Sequence, residues 1–228
     1  MAASSAPPPI APALDPVGPV RDVRVCFVGD SYVAGLGDST ALGWVGRVVA
    51  HAHAEGTPLT SYNLGIRRNT SHDVASRLTE ETARRLAGSD DGLVIVSFGV
   101  NDTLVEGGRQ RVPAAQTLAA FERMVREMAP TPVGMVGPPA VDDDAHNGRI
   151  RSLNAALRTA AETLGAGYFD VFTTLEYDET WREQLRARDG YHSDAPGYER
   201  FFRSVRDPLH EWIVRGGESP RPRRTGSE

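Results

Sequence analysis

Short apolar segments alternate with amphipathic segments along most of this chain, and no other feature constrains its fold as strongly. The segments Val23 to Val28 (VRVCFV) and Leu93 to Phe98 (LVIVSF) are nearly all apolar and rich in β-branched residues. Strands of a parallel sheet have this composition, because helices cover both faces of the sheet. The predicted strands cover residues 23–28, 60–64, 93–98, 133–136 and 168–172.

Between these segments, apolar residues recur at the spacing of one helical face, as in Trp44, Val45, Val48 and Ala52. The predicted helices include residues 44–52, 70–86, 118–128, 150–164 and 196–214. A near-strict alternation of strands and helices is typical of α/β folds with a doubly wound parallel sheet. We therefore expect one α/β domain over residues 21–214.

The two ends of the chain lack this pattern. Residues 1–20 hold six of the sixteen prolines and show no periodicity, so they cannot bury enough apolar surface to offset the entropy of ordering. We predict a disordered tail there and a second one over residues 215–228. The first tail also lacks the basic start and the continuous apolar stretch of a signal peptide, which predicts a cytoplasmic protein.

Composition excludes several classes of protein. The single cysteine, Cys26, excludes an intramolecular disulfide framework. No apolar run is long enough to span a bilayer. All 25 basic residues are arginine, but the net charge is −5 and no arginine run marks a nucleic-acid groove, so a nucleic-acid partner is not expected. The oligomeric state is left open.

Polar motifs stand where a parallel sheet brings loops to one edge. They are Gly29-Asp30-Ser31 after the first strand, Asn63-Leu64-Gly65 after the second, Gly99-Val100-Asn101-Asp102 after the third, and Asp189-Gly190-Tyr191-His192 before the last helix. In doubly wound sheets, ligands bind at the carboxyl ends of the strands. We therefore expect these four motifs to form one site.

The residue types in this site suit acyl transfer. A serine hydroxyl such as that of Ser31 is a weak nucleophile at neutral pH and requires a base, which His192 can supply. Asp189, three residues before His192, is close enough to accept a hydrogen bond from the imidazole and fix its tautomer. The predicted oxyanion hole consists of the backbone N–H groups of Ser31 and Gly65 and the side-chain amide of Asn101.

With these residues the sequence resembles the GDSL or SGNH hydrolases, over nearly the whole chain between the tails. Ser31 matches the family's nucleophile, Gly65 and Asn101 its oxyanion donors, and Asp189 and His192 the rest of its triad. The resemblance implies a flavodoxin-like three-layer α/β/α sandwich with a five-stranded parallel sheet. It also implies hydrolysis of esters or thioesters without a metal or cofactor.

Other residues have simpler interpretations. Asp30 and Asp102 are expected to brace their loops rather than to act in catalysis. The acidic run 142–144 near His146 could suggest a metal site, but consecutive carboxylates rarely point at one ion, so we interpret it as a solvated loop. Cys26 is expected to be a small buried hydrophobe.

Three aromatic residues have their own interpretations. Tyr32 stands where the family's short name has leucine, and we expect this departure to affect substrate preference rather than catalysis. Trp44 and Tyr198 could line a substrate pocket, but core packing is the default expectation for both.

The residues leave alternative functions open beside a serine esterase or lipase-like hydrolase. A thioesterase or a carbohydrate O-acetyl esterase would use the same triad, and the sequence does not reveal the pocket that separates them. A non-catalytic flavodoxin-like binder would hold a phosphate at residues 29–37, but the chain has neither a G-x-G-x-x-G motif nor a P-loop. An α/β-hydrolase fold is disfavoured because no G-x-S-x-G motif occurs.

Overall fold

A computed structural model of the protein describes residues 21–218. The first predicted tail, and all but the first four residues of the second, lie outside the described residues. The strands are β1 (Val23–Gly29), β2 (Thr60–Gly65), β3 (Asp91–Ser97), β4 (Val105–Glu106), β5 (Arg109–Gln110), β6 (Val133–Val136) and β7 (Gly167–Phe169). The helices are α1 (Gly43–Ala54), α2 (Ser71–Leu86), α3 (Val100–Thr103), α4 (Ala114–Met128), α5 (Asp144–Leu164), α6 (Phe172–Leu175), α7 (Glu179–Arg186) and α8 (Ala195–Val214).

Five of the strands form one parallel sheet in the order β2-β1-β3-β6-β7. In the register, Phe27 of β1 lies beside Asn63 on β2 and beside Ile95 on β3. Strand β1 thus lies inside the sheet, with β2 on one side and β3 on the other. The next strands of the chain follow on the β3 side, as in flavodoxin-like sheets. The predicted α/β fold with a five-stranded parallel sheet is confirmed. Strands β4 and β5 form a separate short hairpin between α3 and α4.

Side chains of β1 alternate between two buried layers, one on each face of the sheet. Val25 and Phe27 belong to the layer that contains Trp44 of α1 and the apolar face of α8. Cys26 and Val28 belong to the layer formed with α2, α4 and α5. Because both faces are covered by helices, six of the seven residues of β1 are buried, and Arg24 is the one charged residue in its sequence.

Polar side chains fix the starts of the helices that flank the site. Thr70 and Asp73 form a capping box at α2, in which each side chain accepts a hydrogen bond from the other's backbone N–H. Asp194 caps α8, and Pro196 lies in the first turn of that helix, where a missing N–H costs nothing. These caps define where the loops at the carboxyl edge of the sheet end.

The predicted fifth strand was too long at its carboxyl end. Strand β7 ends at Phe169, and Phe172, which we predicted to be its last residue, begins helix α6. The reason is Asp170, whose carboxylate accepts hydrogen bonds from the backbone N–H of Thr173 (3.1 Å) and from its hydroxyl (2.7 Å). These two hydrogen bonds favour a turn into the helix at this point, although the apolar pattern of the sequence continues.

Within residues 21–218, no helix is both long enough and apolar enough to cross a membrane. The cytoplasmic location and the domain boundaries at residues 21 and 214 stay predictions.

Candidate active site

Ser31 lies in the tight turn that follows β1. The turn is held by hydrogen bonds from the backbone N–H of Ala34 to the carbonyl of Asp30 (3.1 Å) and from that of Leu36 to the carbonyl of Ser31 (3.0 Å). Gly29 precedes the turn at a point where the chain approaches β3 closely. A Cβ on Gly29 would lie 2.1 Å from the carbonyl oxygen of Ser97, so only glycine fits there.

The structure brings Ser31, His192 and Asp189 into one hydrogen-bonded chain. The Ser31 hydroxyl lies 2.8 Å from His192 Nε2, and His192 Nδ1 lies 2.7 Å from Asp189 Oδ2. The other carboxylate oxygen of Asp189 accepts the backbone N–H groups of Tyr191 (2.9 Å) and His192 (2.7 Å). A serine, a base and an orienting carboxylate are therefore in contact, which is the geometry that activates a hydroxyl nucleophile.

The carboxylate of Asp189 stays ionised throughout the ordinary pH range. Partial burial raises its pKa, but the hydrogen bonds from the His192 ring and from the two backbone N–H groups outweigh burial and lower the pKa to about 2. A carboxylate in this state can fix the imidazole tautomer that leaves Nε2 free to accept a proton from Ser31.

Tyr32 joins the serine loop to the histidine loop. Its hydroxyl donates to the carbonyl of Tyr191 (2.8 Å), and its ring centroid lies 5.3 Å from that of His192. The side chain is almost fully buried. The residue that departs from the family's short name thus packs directly against the imidazole, a role that its position in the sequence did not reveal.

Asn101, on α3 after β3, reaches the same edge of the sheet as Ser31. Its side-chain amide donates to Asp30 Oδ2 (3.2 Å) and to the carbonyl of Asn69 (3.1 Å). Both amide hydrogens are therefore engaged, and an oxyanion would take the place of one of these acceptors.

Asp30 itself is fully buried beneath the site. Burial raises the pKa of its carboxyl to about 7, and the nearby carboxylate of Asp102 acts in the same direction. Hydrogen bonds from the backbone N–H of Tyr32 (2.9 Å) and from Asn101 only partly offset that rise. Asp30 therefore shapes the turn from within the core, and it carries a titratable proton next to Asn101.

Gly65, the remaining predicted oxyanion donor, is not among the residues that line the cleft around Ser31. Its backbone N–H donates to Asn63 Oδ1 at 3.1 Å. Its lack of a side chain has a different reason, since a Cβ there would lie 2.2 Å from the backbone nitrogen of Ala34. The structure thus uses Gly65 to pack β2 against the serine loop.

Arg68 is a cleft residue that the sequence did not indicate. It adopts a left-handed backbone conformation with φ of 65° and lines the cleft. Within residues 21–218, neither its backbone N–H nor that of Ser31 has a hydrogen-bond acceptor. These two N–H groups and the Asn101 amide are the candidate donors for an oxyanion. No pattern in the sequence predicts a left-handed backbone conformation at an arginine.

The cleft has a volume of about 220 Å³. This is below the roughly 300–1,000 Å³ of sites for drug-sized ligands. Its walls are formed by Ser31, Tyr32, Leu36, Arg67, Arg68, Val100, Asn101, Leu104, Asp189, Tyr191 and His192. The space beside the Ser31 hydroxyl therefore suits a small group.

Helix α3, which carries Asn101, is supported from behind by two buried polar residues. His146 Nε2 lies 2.9 Å from the hydroxyl of Thr103 and 3.2 Å from the carbonyl of Val100. Asp102 accepts the hydroxyl of Thr117 (2.9 Å) and the backbone N–H of Ser71 (3.0 Å). Burial raises the pKa of Asp102 and lowers that of His146. Asp102 braces its loop as expected.

The acidic run at 142–144 is exposed, as predicted for a solvated segment, but only its first two residues lie in the loop. Asp143 caps α5 by accepting the backbone N–H of His146 (2.8 Å), and Asp144 begins that helix. His146 is buried, because it lies on the inner face of α5. Among the described residues, no group of three or more His, Cys, Asp or Glu side chains could hold a metal ion.

The other sequence-based interpretations concern buried residues. Trp44 and Tyr198 are buried in the core and are not among the residues that line the cleft, so the expected core packing is confirmed. Cys26 is fully buried, and burial raises the pKa of its thiol to about 11. Its predicted role as a small buried hydrophobe is confirmed.

Comparison with known proteins yields one family and several similar folds. A family model described as the GDSL-like lipase/acylhydrolase family matches residues 27–200. No match was found among curated proteins.

Solved structures resemble the chain over most of its length. A lipase/acylhydrolase from Enterococcus faecalis is 22% identical with a TM-score of 0.69, and the match covers 88% of this chain and 99% of that one. LAE5, an α/β hydrolase enzyme from the metagenome of Lake Arreo, is 21% identical with a TM-score of 0.68, covering 88% and 98%. Axe2, an acetylxylan esterase from Geobacillus stearothermophilus, is 20% identical with a TM-score of 0.64, covering 81% and 93%. At these identities the likeness concerns the fold.

Proposed function

The chain belongs to the GDSL-like lipase/acylhydrolase family, and we propose that it is a serine hydrolase that cleaves carboxylic esters through an acyl-enzyme on Ser31. The observation that carries this proposal is the continuous hydrogen-bonded chain from the Ser31 hydroxyl through His192 to Asp189. A binding protein would have no need for this relay, which disfavours the flavodoxin-like binder.

In the first half of the reaction, the Ser31 oxygen attacks the ester carbonyl carbon while its proton passes to His192 Nε2. The tetrahedral intermediate then collapses, the bond to the alcohol oxygen breaks, and His192 returns the proton to the departing alcohol. Asp189 stabilises the imidazolium between these two transfers. Water repeats the sequence on the acyl-Ser31 ester, with His192 again as the base, and releases the acid.

We infer that the negative oxygen of the intermediate is held by the backbone N–H groups of Ser31 and Arg68 and by the Asn101 amide. The two backbone donors have no acceptor within the described chain, so they lose no hydrogen bond when the intermediate forms. Asn101 exchanges its 3.2 Å hydrogen bond to Asp30 for one to the oxyanion. Donors aimed at the developing charge are worth about 10²–10³ in rate each. Arg68 replaces Gly65 in this proposal, since the N–H of Gly65 is already donated to Asn63.

The preferred acyl groups are proposed to be short, such as acetyl, because the cleft of about 220 Å³ beside Ser31 is small. A carbohydrate O-acetyl esterase is a second candidate, favoured by the fold likeness to the acetylxylan esterase Axe2 and by the same small cleft. A thioesterase would use the same residues. Parallel assays with p-nitrophenyl acetate, acetylated sugars and acetyl-CoA separate these three substrate classes.

The test of the proposal is the Ser31→Ala variant. We expect wild-type protein to hydrolyse p-nitrophenyl acetate and butyrate, and the variant to lose about 10⁴-fold or more of kcat. A fluorophosphonate probe should label the wild type at Ser31 and leave the variant unlabelled. Ser152→Ala, which changes an exposed serine of α5, is the matched control and should retain both properties. Undiminished turnover in Ser31→Ala would refute the assignment.

A further inference from the structure

The segment Ile66–Asn69 forms a tight turn on the wall of the cleft. The backbone N–H of Asn69 donates to the carbonyl of Ile66 (3.2 Å), and the N–H of Ile66 is anchored to Gly29 at the end of β1 (2.9 Å). In turns that require a positive φ at the third residue, that position favours glycine or asparagine. Here it is Arg68, with φ of 65°.

An arginine at this position is a local departure from turn chemistry. Such departures persist where the surroundings impose them, and they concentrate at functional sites. The turn places two consecutive arginines, Arg67 and Arg68, on the wall of the cleft that contains Ser31. A glycine would make the turn without strain but would remove one of the two charges.

The two arginines differ in their partners. Arg68 donates to Glu106 Oε1 of the β4–β5 hairpin at 2.9 Å, and the other oxygen of Glu106 lies 3.9 Å from the guanidinium of Arg111. In the part of the chain that the structure describes, Arg67 has neither a carboxylate partner nor a hydrogen-bond acceptor for its guanidinium. Arg67 is exposed and lines the cleft.

The remaining charges of the site do not neutralise Arg67. Asp189, the one carboxylate among the cleft-lining residues, is hydrogen-bonded to His192. Asp30 lies beneath the cleft and is fully buried, with its pKa raised to about 7. The cleft therefore has a positive wall although the whole chain carries a net charge of −5.

On the basis of the proposed ester hydrolysis, we propose that Arg67, positioned by the strained turn with Arg68, recognises an anionic group on the ester substrate. A carboxylate or phosphate can accept two parallel hydrogen bonds from a guanidinium, which fixes orientation as well as charge. Because Arg67 and Ser31 line the same cleft, such a group belongs to the same substrate molecule as the ester. The anion belongs to either the acyl part or the alcohol part of the substrate, and matched esters distinguish the two.

The first measurement compares kcat/KM for two pairs of esters with the wild-type protein. For the alcohol part, the pair is 4-acetoxybenzoate and its neutral methyl ester, methyl 4-acetoxybenzoate. For the acyl part, the pair is mono-p-nitrophenyl adipate and the neutral p-nitrophenyl heptanoate. We expect the anionic member of one pair to be preferred by about 3- to 10-fold, which is the range for a solvent-accessible charged contact. Added salt should reduce the preference, because ions screen exposed charges.

The second measurement assigns the preference to Arg67. In Arg67→Ala the ratio of kcat/KM for the anionic ester to that for its neutral partner should fall to about 1, through a rise in KM for the anionic ester. Arg67→Lys should retain part of the preference, and Arg67→Glu should invert it. Arg203→Ala, which removes an exposed arginine of α8 outside the cleft lining, is the control and should leave the ratio unchanged.

The outcomes separate this inference from the proposed function. Hydrolysis of the neutral esters that depends on Ser31 supports the function whatever the charge preference. A ratio at or below 1 in both ester pairs, or a preference that survives in Arg67→Ala, overturns the role of Arg67. If no ester of either pair is hydrolysed in a Ser31-dependent manner, the proposed function itself fails.

Discussion

The buried carboxyl of Asp30 makes a prediction in which stability and activity change in opposite directions. Asp30 accepts hydrogen bonds from the backbone N–H of Tyr32 (2.9 Å) and from the amide of Asn101 (3.2 Å). In Asp30→Asn, the new side-chain oxygen can still accept from Tyr32, but its NH₂ group then faces the NH₂ group of Asn101. We expect the variant to be more stable than wild type at alkaline pH and to have a lower kcat.

The magnitude follows from the pKa of Asp30, which burial raises from 3.8 to about 7 on folding. Between these values the folded protein binds more protons than the unfolded chain, so the free energy of unfolding falls as pH rises from about 4 to about 7. Each pH unit in that window corresponds to about 1.36 kcal/mol, which gives a loss of about 4 kcal/mol above pH 7. Asp30→Asn has no proton to lose and avoids this loss.

The assay is urea unfolding of both proteins at several values between pH 4 and pH 8. The difference in unfolding free energy, Asp30→Asn minus wild type, should grow by about 4 kcal/mol over that range. Taking the difference removes the contribution of titrating groups that do not interact with Asp30. A difference for Asp30→Asn that does not vary with pH would refute the reasoning.

Two further predictions concern the oxyanion donor and the serine turn. Asn101→Ala should lower kcat on p-nitrophenyl acetate by about 10²–10³-fold with little change in KM, and an unchanged kcat would exclude Asn101 as a donor. Gly29→Ala should lower the free energy of unfolding by about 1–3 kcal/mol in thermal melts, because its Cβ would overlap the carbonyl oxygen of Ser97. Gly148→Ala, at an open position in α5, is the control and should raise the free energy of unfolding by about 0.5–1 kcal/mol. Equal melting temperatures for Gly29→Ala and wild type would contradict the predicted overlap.

The central strands could be predicted because their environment is uniform. Strands β1 and β3 are buried on both faces, so their apolar sequences have one simple interpretation. Helix α7 (ETWREQLR) escaped prediction because it is eight residues long and buries only Trp181 and Leu185. A polar segment with two apolar residues has too weak a periodicity to indicate a helix.

Some features of the site could likewise be predicted from short sequence motifs, whereas others depend on contacts that form only in the folded protein. The motifs around Ser31 and His192 were predictable, because each one is a short loop whose residue types imply chemistry. The contact of Tyr32 with the imidazole and the support of α3 by His146 each depend on segments far apart in the sequence. The left-handed conformation of Arg68 arises in a local turn that has an arginine where glycine or asparagine is favoured. For Gly65 the sequence predicts an oxyanion donor, but the close approach of its Cα to Ala34, which requires a glycine for packing, depends on the tertiary structure.

The single cysteine lies in the middle of the sheet, and this placement means that the accessibility of its thiol reports opening of the core. Cys26 sits on β1 between two hydrogen-bonded neighbours, and its thiol is inaccessible and held protonated by a pKa of about 11. Because its side chain packs in the layer formed with α2, α4 and α5, a thiol-modifying reagent can reach it only after those helices have separated from the sheet or the sheet itself has opened. The rate of labelling therefore measures how often the centre of the molecule comes apart, free of any contribution from fraying ends.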